Sequence, residues 1–512
     1  MPLLTSIINW FSVKRGYQID LFKKYPGEVQ QDIFAKLLSK GAATEWGKKY
    51  GYASLSSIED FQEKVPLQTY EDVKPYVDRV RSGENDLLWP GETKWFAKSS
   101  GTTCDKSKFL PVSKESLEEC HFRGGRDVLA LYLKNNPDSK IFQGKGLTLG
   151  GSHKIDNYNN QSYYGDLSAI LIENLPFWTE FIRTPSHDVA LLEKWEEKLE
   201  KIARETIHEN VTSIAGVPSW NLVMMKYILD FTGKRDLLEI WPNLELFMHG
   251  GVSFIPYREQ FKKLIPSENM HYMESYNASE GFFAIQDDPA DDGMLLMLDY
   301  GIFYEFIPMD EFGKDHPAAV TIDKVEKETN YALVISTNSG LWRYIIGDTI
   351  RFTSVFPHKI VISGRTRHFI NVFGEEVIVE NAERALGIAC EKSGARITDY
   401  AAGPIFMSDN KKGAHEWVIE FSVPPDDLDY FTTLLDHALM SLNSDYEAKR
   451  YLSITLDKPV VHHVEKGTFY QWLQEKDKLG GQNKVPRLFN ERKYLEELLQ
   501  IDKKLKNNQK MH

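Results

Sequence analysis

The most constraining feature of this sequence is the regular alternation of helical and strand-like patterns between residues 110 and 310. The helical segments are 191–207, 220–231 and 257–264, and the short apolar runs between them are 211–217, 244–248 and 271–276. Strands that alternate with helices form parallel sheets, so this order predicts an α/β layer. Ligands bind such sheets at the carboxyl ends of the strands, which makes the turns after Met248 and Tyr276 candidate binding positions.

The segments before and after this layer have different patterns. Residues 1 to about 90 are mainly helical in pattern and end in the turn-forming Trp89-Pro90-Gly91. The runs 331–337 and 341–346 are separated by a short turn and predict a β-hairpin. We therefore expect Asp348 to lie at the end of a strand.

A smaller unit follows Gly364-Arg365. The pattern there predicts strand 368–372, helix 376–392, strand 397–407, strand 416–423, helix 428–442 and strand 459–464. This order is typical of a small α+β unit that folds separately. We predict an α/β protein with a large N-terminal domain over 1–366, which includes a β-hairpin or barrel-like portion, and a smaller mobile α+β domain over 367–512.

Composition excludes several function classes. The chain has 512 residues, 42% of them hydrophobic, and a net charge of -13, which argues against a nucleic-acid partner. It contains only three cysteines, so neither a disulfide framework nor a cysteine metal site is expected, and the cytoplasm is the expected compartment. No apolar run approaches the roughly 20 residues that span a bilayer. We expect a monomer that acts on small molecules.

Two other patterns do not predict metal sites. The aspartates of Asp287-Asp288 and Asp291-Asp292 lack the spacing of a calcium loop, and solvated loops explain them better. His462-His463 lies in a strand-like run without further histidine or cysteine ligands nearby. Neither these aspartates nor these histidines are therefore interpreted as a cation site.

The stretch from Ser99 to Lys108 predicts a phosphate-binding loop. Its hydroxyls, its glycine and its lysines suit an anion, because glycine lets backbone N–H groups face a phosphate and lysine adds positive charge. The candidate phosphate contacts are Ser99, Ser100, Gly101, Thr102, Thr103 and Lys108. The spacing is not that of a Walker A loop, and a flexible surface loop uses the same residue types.

Three further positions have both a chemical and a plain structural interpretation. Tyr276 and Glu280 lie after a predicted strand, where the ring can cover a purine and the carboxylate can hold Mg²⁺. Gly250, Gly251 and Val252 close another strand and permit close backbone approach to a flat ring. Asp348 can accept the ribose hydroxyls. The alternative at every position is an ordinary turn.

Taken in order, these motifs resemble those of a known family. Segments 99–103, 276–280 and 341–348 are similar to the three nucleotide motifs of the Gretchen Hagen-type acyl acid amido synthetases, the auxin-responsive promoter family. Gly364-Arg365 and Gln482-Asn483-Lys484-Val485-Pro486-Arg487 extend the resemblance through most of the chain. The family belongs to the adenylate-forming enzymes. Its occurrence in plants and in bacteria means that membership implies no particular hormone.

The resemblance implies ATP and Mg²⁺ as cofactors, and a carboxylic acid and an amino acid or other amine as substrates. Lys484 matches the family's catalytic lysine, Glu280 its magnesium ligand, and Asp348 its ribose contact. Tyr276, Ser279 and Arg365 are implied nucleotide contacts, and the segment 365–368 is the candidate hinge. Cys104-Asp105 departs from the family pattern, so the exact path of the phosphate loop does not carry over.

Three functions remain open from the sequence. The first is an ATP-dependent ligase that forms an acyl-adenylate and then an amide, and its nearest alternative is an acid:thiol ligase that uses coenzyme A. A non-catalytic nucleotide- or acid-binding protein is the third. Aromatic and apolar residues that could line an acid pocket are more often core residues at these spacings, namely Phe177, Trp178, Trp220, Met224 and Met225.

Overall fold

The computed structural model describes residues 14–100, 107–150, 156–159, 162–192, 194–251, 254, 257–366, 369–375, 377–408, 411–450, 456–476 and 487–509. Within these ranges the helices are α1 over 14–24, α2 Pro26–Gly41, α3 Glu45–Lys49, α4 Ile58–Lys64, α5 Tyr70–Arg81, α6 Phe122–Asn135, α7 Leu167–Glu173, α8 His187–Ala190, α9 Trp195–Thr206, α10 Pro218–Thr232, α11 Arg258–Leu264, α12 Val379–Ser393, α13 Leu428–Leu442, α14 Ser444–Arg450, α15 Thr468–Glu475 and α16 Lys493–Gln509. A π-helical turn, Ser116–His121, directly precedes α6. None of the helices in the described ranges is long and apolar enough to cross a membrane.

Most strands belong to one eleven-stranded sheet. In chain order the strands are β1 Trp95–Ser100, β2 Ser107–Val112, β3 Lys145–Thr148, β4 Asp156–Asn159, β5 Ser162–Gly165, β6 Arg183–Thr184, β7 Val211–Gly216, β8 Leu246–Gly250, β9 His271–Ala278, β10 Gly281–Ile285, β11 Met294–Leu296, β12 Ile302–Pro308, β13 Asn330–Thr337, β14 Tyr344–Val355, β15 His358–Arg365, β16 Phe369–Ile370, β17 Val377–Ile378, β18 Arg396–Ile405, β19 Ala414–Val423 and β20 Val460–Val464. The large sheet has the order β12-β13-β14-β15-β11-β10-β9-β8-β7-β3-β6, and β2-β1-β5-β4 form a second sheet.

The parallel half of the large sheet confirms the predicted α/β layer. β6, β3, β7, β8 and β9 pair in parallel, and helices separate β7, β8 and β9 along the chain. The three predicted strands are therefore present, although β8 and β9 end two residues later than expected. The buried apolar side chains Leu246 and Phe247 explain why an apolar run identified β8.

The helices of this layer follow local sequence signals. Pro218 occupies the first turn of α10 and Gly233 ends it in the left-handed conformation, with φ of 66°. Both positions favour these residues, because proline lacks an N–H group and glycine tolerates positive φ. The helix predicted over 191–207 is shorter, since α9 begins at Trp195 and the short α8 precedes it.

The antiparallel half corrects one prediction. β13 pairs with β14 as expected of a hairpin, but β14 begins at Tyr344 rather than at residue 341. It continues through Asp348 to Val355, so this aspartate lies inside the strand and not at its end. Leu341 and Trp342 belong to the connection, and their burial rather than strand pairing explains their apolar character.

The chain divides into two compact units. The first contains residues 1–99, 109–251 and 262–366, and the second contains 100–108, 252–261 and 367–512. The second unit is discontinuous because a segment of α11 and the residues before it pack on later parts of the chain. The Tyr257 hydroxyl donates to the Val372 carbonyl at 2.8 Å, and the Gln260 amide donates to the Met407 carbonyl at 2.9 Å.

The second unit contains the predicted succession of strands and helices, with one difference. β18, β19 and β20 form a three-stranded sheet in which β18 and β19 are antiparallel and β19 and β20 are parallel. The first predicted strand does not join this sheet. Only Phe369–Ile370 is extended there, and it pairs with Val377–Ile378 as a separate ribbon. Ala401, Val418 and Val464 of the sheet pack with apolar residues of α15 and α16.

Candidate functional site

A hydrogen bond joins two of the predicted nucleotide motifs. The Tyr276 hydroxyl on β9 donates to Oδ2 of Asp348 on β14, and the two oxygens are 2.6 Å apart. Both residues are buried, and the Tyr276 ring packs against Phe283 with 4.8 Å between ring centroids. A phenol that donates to a carboxylate fixes the orientation of that carboxylate. The fold thus brings Tyr276 and Asp348 together from positions 72 residues apart.

Asp348 lies in an irregular part of β14. Ala332 pairs with Thr349 whereas Val334 pairs with Ile345, so the segment between Ile345 and Thr349 bulges out of the ladder. Gly347 has φ of 96° at this point, a conformation that a side chain would strain. A bulge redirects the side chains that follow it. We interpret this one as the reason that Asp348 faces Tyr276.

The same bulge contacts the end of the first compact unit. The backbone N–H of Thr366 donates to the Gly347 carbonyl at 2.8 Å. Arg365 is the ladder partner of Asp348 in the β14–β15 pair, so these two predicted site residues have adjacent backbones. The side chain of Arg365 lies outside the described part of the structure.

Glu280 lies at the tip of a tight hairpin. β9 ends at Ala278 and β10 begins at Gly281, which leaves Ser279 and Glu280 as the two turn residues. Both are half-buried. A two-residue hairpin turn adopts few backbone conformations. The turn therefore restricts the position of Glu280, the predicted magnesium ligand, four residues from Tyr276.

Gly250 and Gly251 end β8 beside this hairpin. A Cβ atom at Gly250 would lie 2.4 Å from the carbonyl oxygen of Ser275, so the neighbouring strand β9 requires glycine here. Gly251 has φ of 82° and is exposed. The close approach that the structure shows at Gly250 is that of β9, and the predicted approach to a flat ring stays a prediction. Val252, the third residue predicted at this turn, lies outside the described residues.

The predicted phosphate loop connects two neighbouring strands. Ser99 lies near the end of β1, Lys108 is the second residue of β2, and both are half-buried. The loop residues Gly101, Thr102 and Thr103 and the side chain of Ser100 lie outside the described part of the structure, as does Lys484. The strand pairing fixes where the loop begins and ends.

Arg343 is a buried residue to which the sequence assigned no role. Its guanidinium pairs with Glu305, with Nη2 3.0 Å from Oε1, and the two side chains are 6% and 1% exposed. Nη1 also donates to the carbonyls of Gln62 and Val65, both at 2.7 Å. Arg343 has φ of 45°, unusual for a residue other than glycine. It lies within the third motif, and its contacts are those of a structural ion pair.

The described carboxylates contain no cluster of three or more groups that could hold a metal ion. A single carboxylate together with phosphate oxygens is a common magnesium environment, so the predicted role of Glu280 needs no such cluster. In the acidic loop discounted above, Lys359 pairs with two of the four aspartates, with Asp287 at 2.9 Å and with Asp291 at 2.8 Å. His462 is bound by Glu416, with 2.8 Å between Nε2 and Oε1.

Four of the five acid-pocket candidates separate into two groups, and the fifth, Trp220, is half-buried. Met224 and Met225 are fully buried in the core, as their spacing favoured. Phe177 and Trp178 are 81% and 59% exposed, so the core interpretation is wrong for them. They lie in the single 3-10 turn Phe177–Phe181, where the helical spacing that indicates a core face does not continue.

The sequence matches three consecutive family domains. The GH3 family N-terminal domain matches residues 15–270, the GH3 family central domain residues 295–365, and the GH3 family C-terminal domain residues 380–493. The resemblance inferred from the motifs is thereby confirmed. The three domain matches follow one another along the chain, as the motifs do.

Individual proteins agree with this match. The chain is 22% identical to the indole-3-acetic acid-amido synthetase GH3.3 of Arabidopsis thaliana, over 90% of this chain and 89% of that protein. The GH3.15 acyl acid amido synthetase has a similar fold, with a TM-score of 0.59, 18% identity and 93% of both chains covered. A 2-hydroxyisobutyryl-CoA ligase also has a similar fold, with a TM-score of 0.55, 12% identity, and 93% of this chain and 91% of that chain covered. The fold is therefore similar to the folds of both of these enzymes. With half of its residues in the N-terminal match alone, the chain belongs to the GH3 family.

Proposed function

We propose that this protein activates a carboxylic acid with ATP, releasing pyrophosphate, and then transfers the acyl group of the acyl-adenylate to an amine or amino acid, releasing AMP. The protein is accordingly an acyl acid amido synthetase, a ligase. The observation that carries the proposal is the bond between Tyr276 and Asp348, which joins two nucleotide motifs of the family at one buried point. A carboxylate held in this way can accept hydrogen bonds from a ribose.

The further nucleotide contacts are proposed from the family motifs. We assign ribose binding to Asp348 and positioning of the purine to Tyr276, with Gly250, Gly251, Val252, Ser279 and Arg365 as further nucleotide contacts. Glu280 would hold Mg²⁺, which when bound neutralises charge on phosphate oxygens. Ser99, Ser100, Gly101, Thr102, Thr103 and Lys108 would hold the phosphates that leave. Backbone N–H groups and hydroxyls suit that task because they stabilise negative charge without proton transfer.

Lys484 is the proposed catalytic residue of the second domain, 367–512. A lysine near the α-phosphate stabilises the charge that develops when the acid attacks. We propose that this domain turns about residues 365–368 between the two half-reactions. Lys484 then acts in adenylation and lies away from the reacting groups during amide formation. A monomeric cytoplasmic enzyme fits the proposal.

The test separates the two half-reactions. Pyrophosphate exchange is measured over a panel of carboxylic acids, and amide formation is measured with amino acids or with coenzyme A as acceptors. We expect Lys484→Ala to abolish exchange and to spare amide formation from a supplied acyl-adenylate. Lys478→Ala, in the same segment of the sequence, is the matched control and retains exchange.

Each outcome decides between the candidate functions. AMP release that only coenzyme A stimulates would replace the amido synthetase by the thiol ligase, an alternative that the fold of the 2-hydroxyisobutyryl-CoA ligase keeps open. Equal loss of both half-reactions in Lys484→Ala would contradict the role of the lysine. If none of the carboxylic acids supports pyrophosphate exchange, the protein would be a non-catalytic nucleotide- or acid-binding protein.

A further inference from the structure

A buried thiol contacts the hairpin that bears Glu280. Cys120 lies in the π-helical turn before α6, and its side chain is almost fully buried. The backbone N–H of Phe282 donates to its Sγ atom at 3.1 Å, and Sγ lies 3.8 Å from the carbonyl oxygen of the same residue. Burial raises the pKa of the thiol to about 12, so it is neutral at physiological pH. The contact is therefore a hydrogen bond between neutral groups.

Phe282 is the residue at which the hairpin departs from regular pairing. It pairs with Asn277, whereas Ala284 pairs with Tyr276, so a bulge lies between the two positions on β10. The bulge shifts the register directly beneath the turn that contains Ser279 and Glu280. The hydrogen bond from the Phe282 N–H to Cys120 stabilises this irregular register.

The Phe282 ring is fixed from the same helical segment. A Cβ atom at Gly124 would lie 2.5 Å from the ring, so only glycine at the start of α6 allows the ring to occupy its site. Cys120 and Gly124 thus contact the backbone and the side chain of one residue. Turns of π-helix are frequent at functional sites, where they redirect a side chain that a regular helix would place elsewhere.

We propose that Cys120 is a positioning residue for the reaction: by binding the Phe282 backbone it sets the register that directs Glu280 toward Mg²⁺ and Tyr276 toward Asp348. The inference rests on the proposed function and deepens it. Cys120 reaches no substrate and takes part in no covalent step. Its effect passes through the β9–β10 hairpin, so its loss alters metal and nucleotide affinity before it alters the rest of the fold.

The experiment uses the full-length protein and magnesium-dependent pyrophosphate exchange. We expect Cys120→Ala to raise the Mg²⁺ concentration at half-maximal activity and the KM for ATP by about fivefold or more, as when a buried donor loses its acceptor. Cys120→Ser keeps an acceptor and should recover most of the activity. Cys390→Ala, at the half-buried cysteine of α12, is the control and should leave both values unchanged.

A second background distinguishes positioning from general destabilisation. In a Glu280→Gln protein, Cys120→Ala should raise the Mg²⁺ midpoint by less than about twofold, because the carboxylate through which it acts is gone. Full additivity, or an unchanged midpoint in Cys120→Ala alone, would overturn the inference. If Cys120→Ala does not fold, the same comparison is made with Cys120→Val, which removes the acceptor but fills the site, and unchanged values there would also overturn the inference. Absence of pyrophosphate exchange in the wild-type protein would refute the proposed function instead.

Discussion

The buried pair of Arg343 and Glu305 allows one prediction to be worked through. Replacing Arg343 with methionine removes three contacts to Glu305 of 3.0 to 3.1 Å and leaves its carboxylate with the Gln62 amide at 2.9 Å. Because Glu305 is 1% exposed, water cannot replace the lost donors. Breaking such a pair from one side costs about 3–5 kcal/mol.

The assay is urea unfolding followed by tryptophan fluorescence, to which the neighbouring Trp342 contributes. With a slope of about 3 kcal/mol per molar urea, Arg343→Met should lower the midpoint by about 1 M or more. The double variant Arg343→Met/Glu305→Met should be more stable than the single variant, because no charge is then left buried.

An exposed pair that includes a residue of β14, the strand after Arg343, provides the control. Arg351 pairs with Glu328, and their side chains are 34% and 56% exposed. Ion pairs at the surface contribute about 0–1 kcal/mol, so Arg351→Met should move the midpoint little. The reasoning would be refuted if Arg343→Met and Arg351→Met were equally destabilised, or if the double variant were the least stable of the set.

Three further predictions concern the site and its surroundings. Tyr276→Phe removes the hydroxyl that orients Asp348, so the KM for ATP should rise about tenfold, within the range for a hydrogen bond to a charged group, and an unchanged KM would contradict the assignment. Gly250→Ala should lower the melting temperature because its Cβ would meet backbone, whereas Gly125→Ala, with open space in α6, should gain about 0.5–1 kcal/mol. Burial lowers the pKa of His121 from 6.5 to about 4, so only the unfolded state takes up this proton between those pH values. Stability should therefore fall as the pH drops from 6.5, by about 1.4 kcal/mol per unit, and His121→Gln should show a shallower fall in pH-dependent unfolding experiments.

Local patterns were sufficient for the parallel half of the fold. β8 begins with the apolar run Leu246-Phe247-Met248, and Pro218 and Gly233 delimit α10 by their own backbone preferences. The motif at Tyr276 was recognisable because it adjoins the predicted strand 271–276, and in the structure Tyr276 lies within β9. What these patterns could not give was the bond to Asp348, which depends on the register of an antiparallel sheet and on a bulge at Gly347.

Long-range contacts account for the errors. Leu341 and Trp342 were interpreted as strand residues because they are apolar, but Trp342 is buried in a connection where its indole N–H donates to the Leu88 carbonyl at 2.9 Å. Cys120 gave no signal, since a lone cysteine in a helical segment looks like a filler until Phe282 is placed beside it. Tertiary packing determines the positions of such partners, and local periodicity contains no information about it.

The discontinuity of the second unit affects the order in which the chain can complete its fold. Tyr257 and Gln260 find their partners 115 and 147 residues later in the sequence. During synthesis both side chains leave the ribosome well before Val372 and Met407, and the tyrosine remains without its native acceptor until then. Contacts of this separation slow folding, because a long loop must close first. A fragment that ends at residue 366 should therefore aggregate more readily than the whole chain, even though the family's sequence boundaries make that position look like a natural place to divide it.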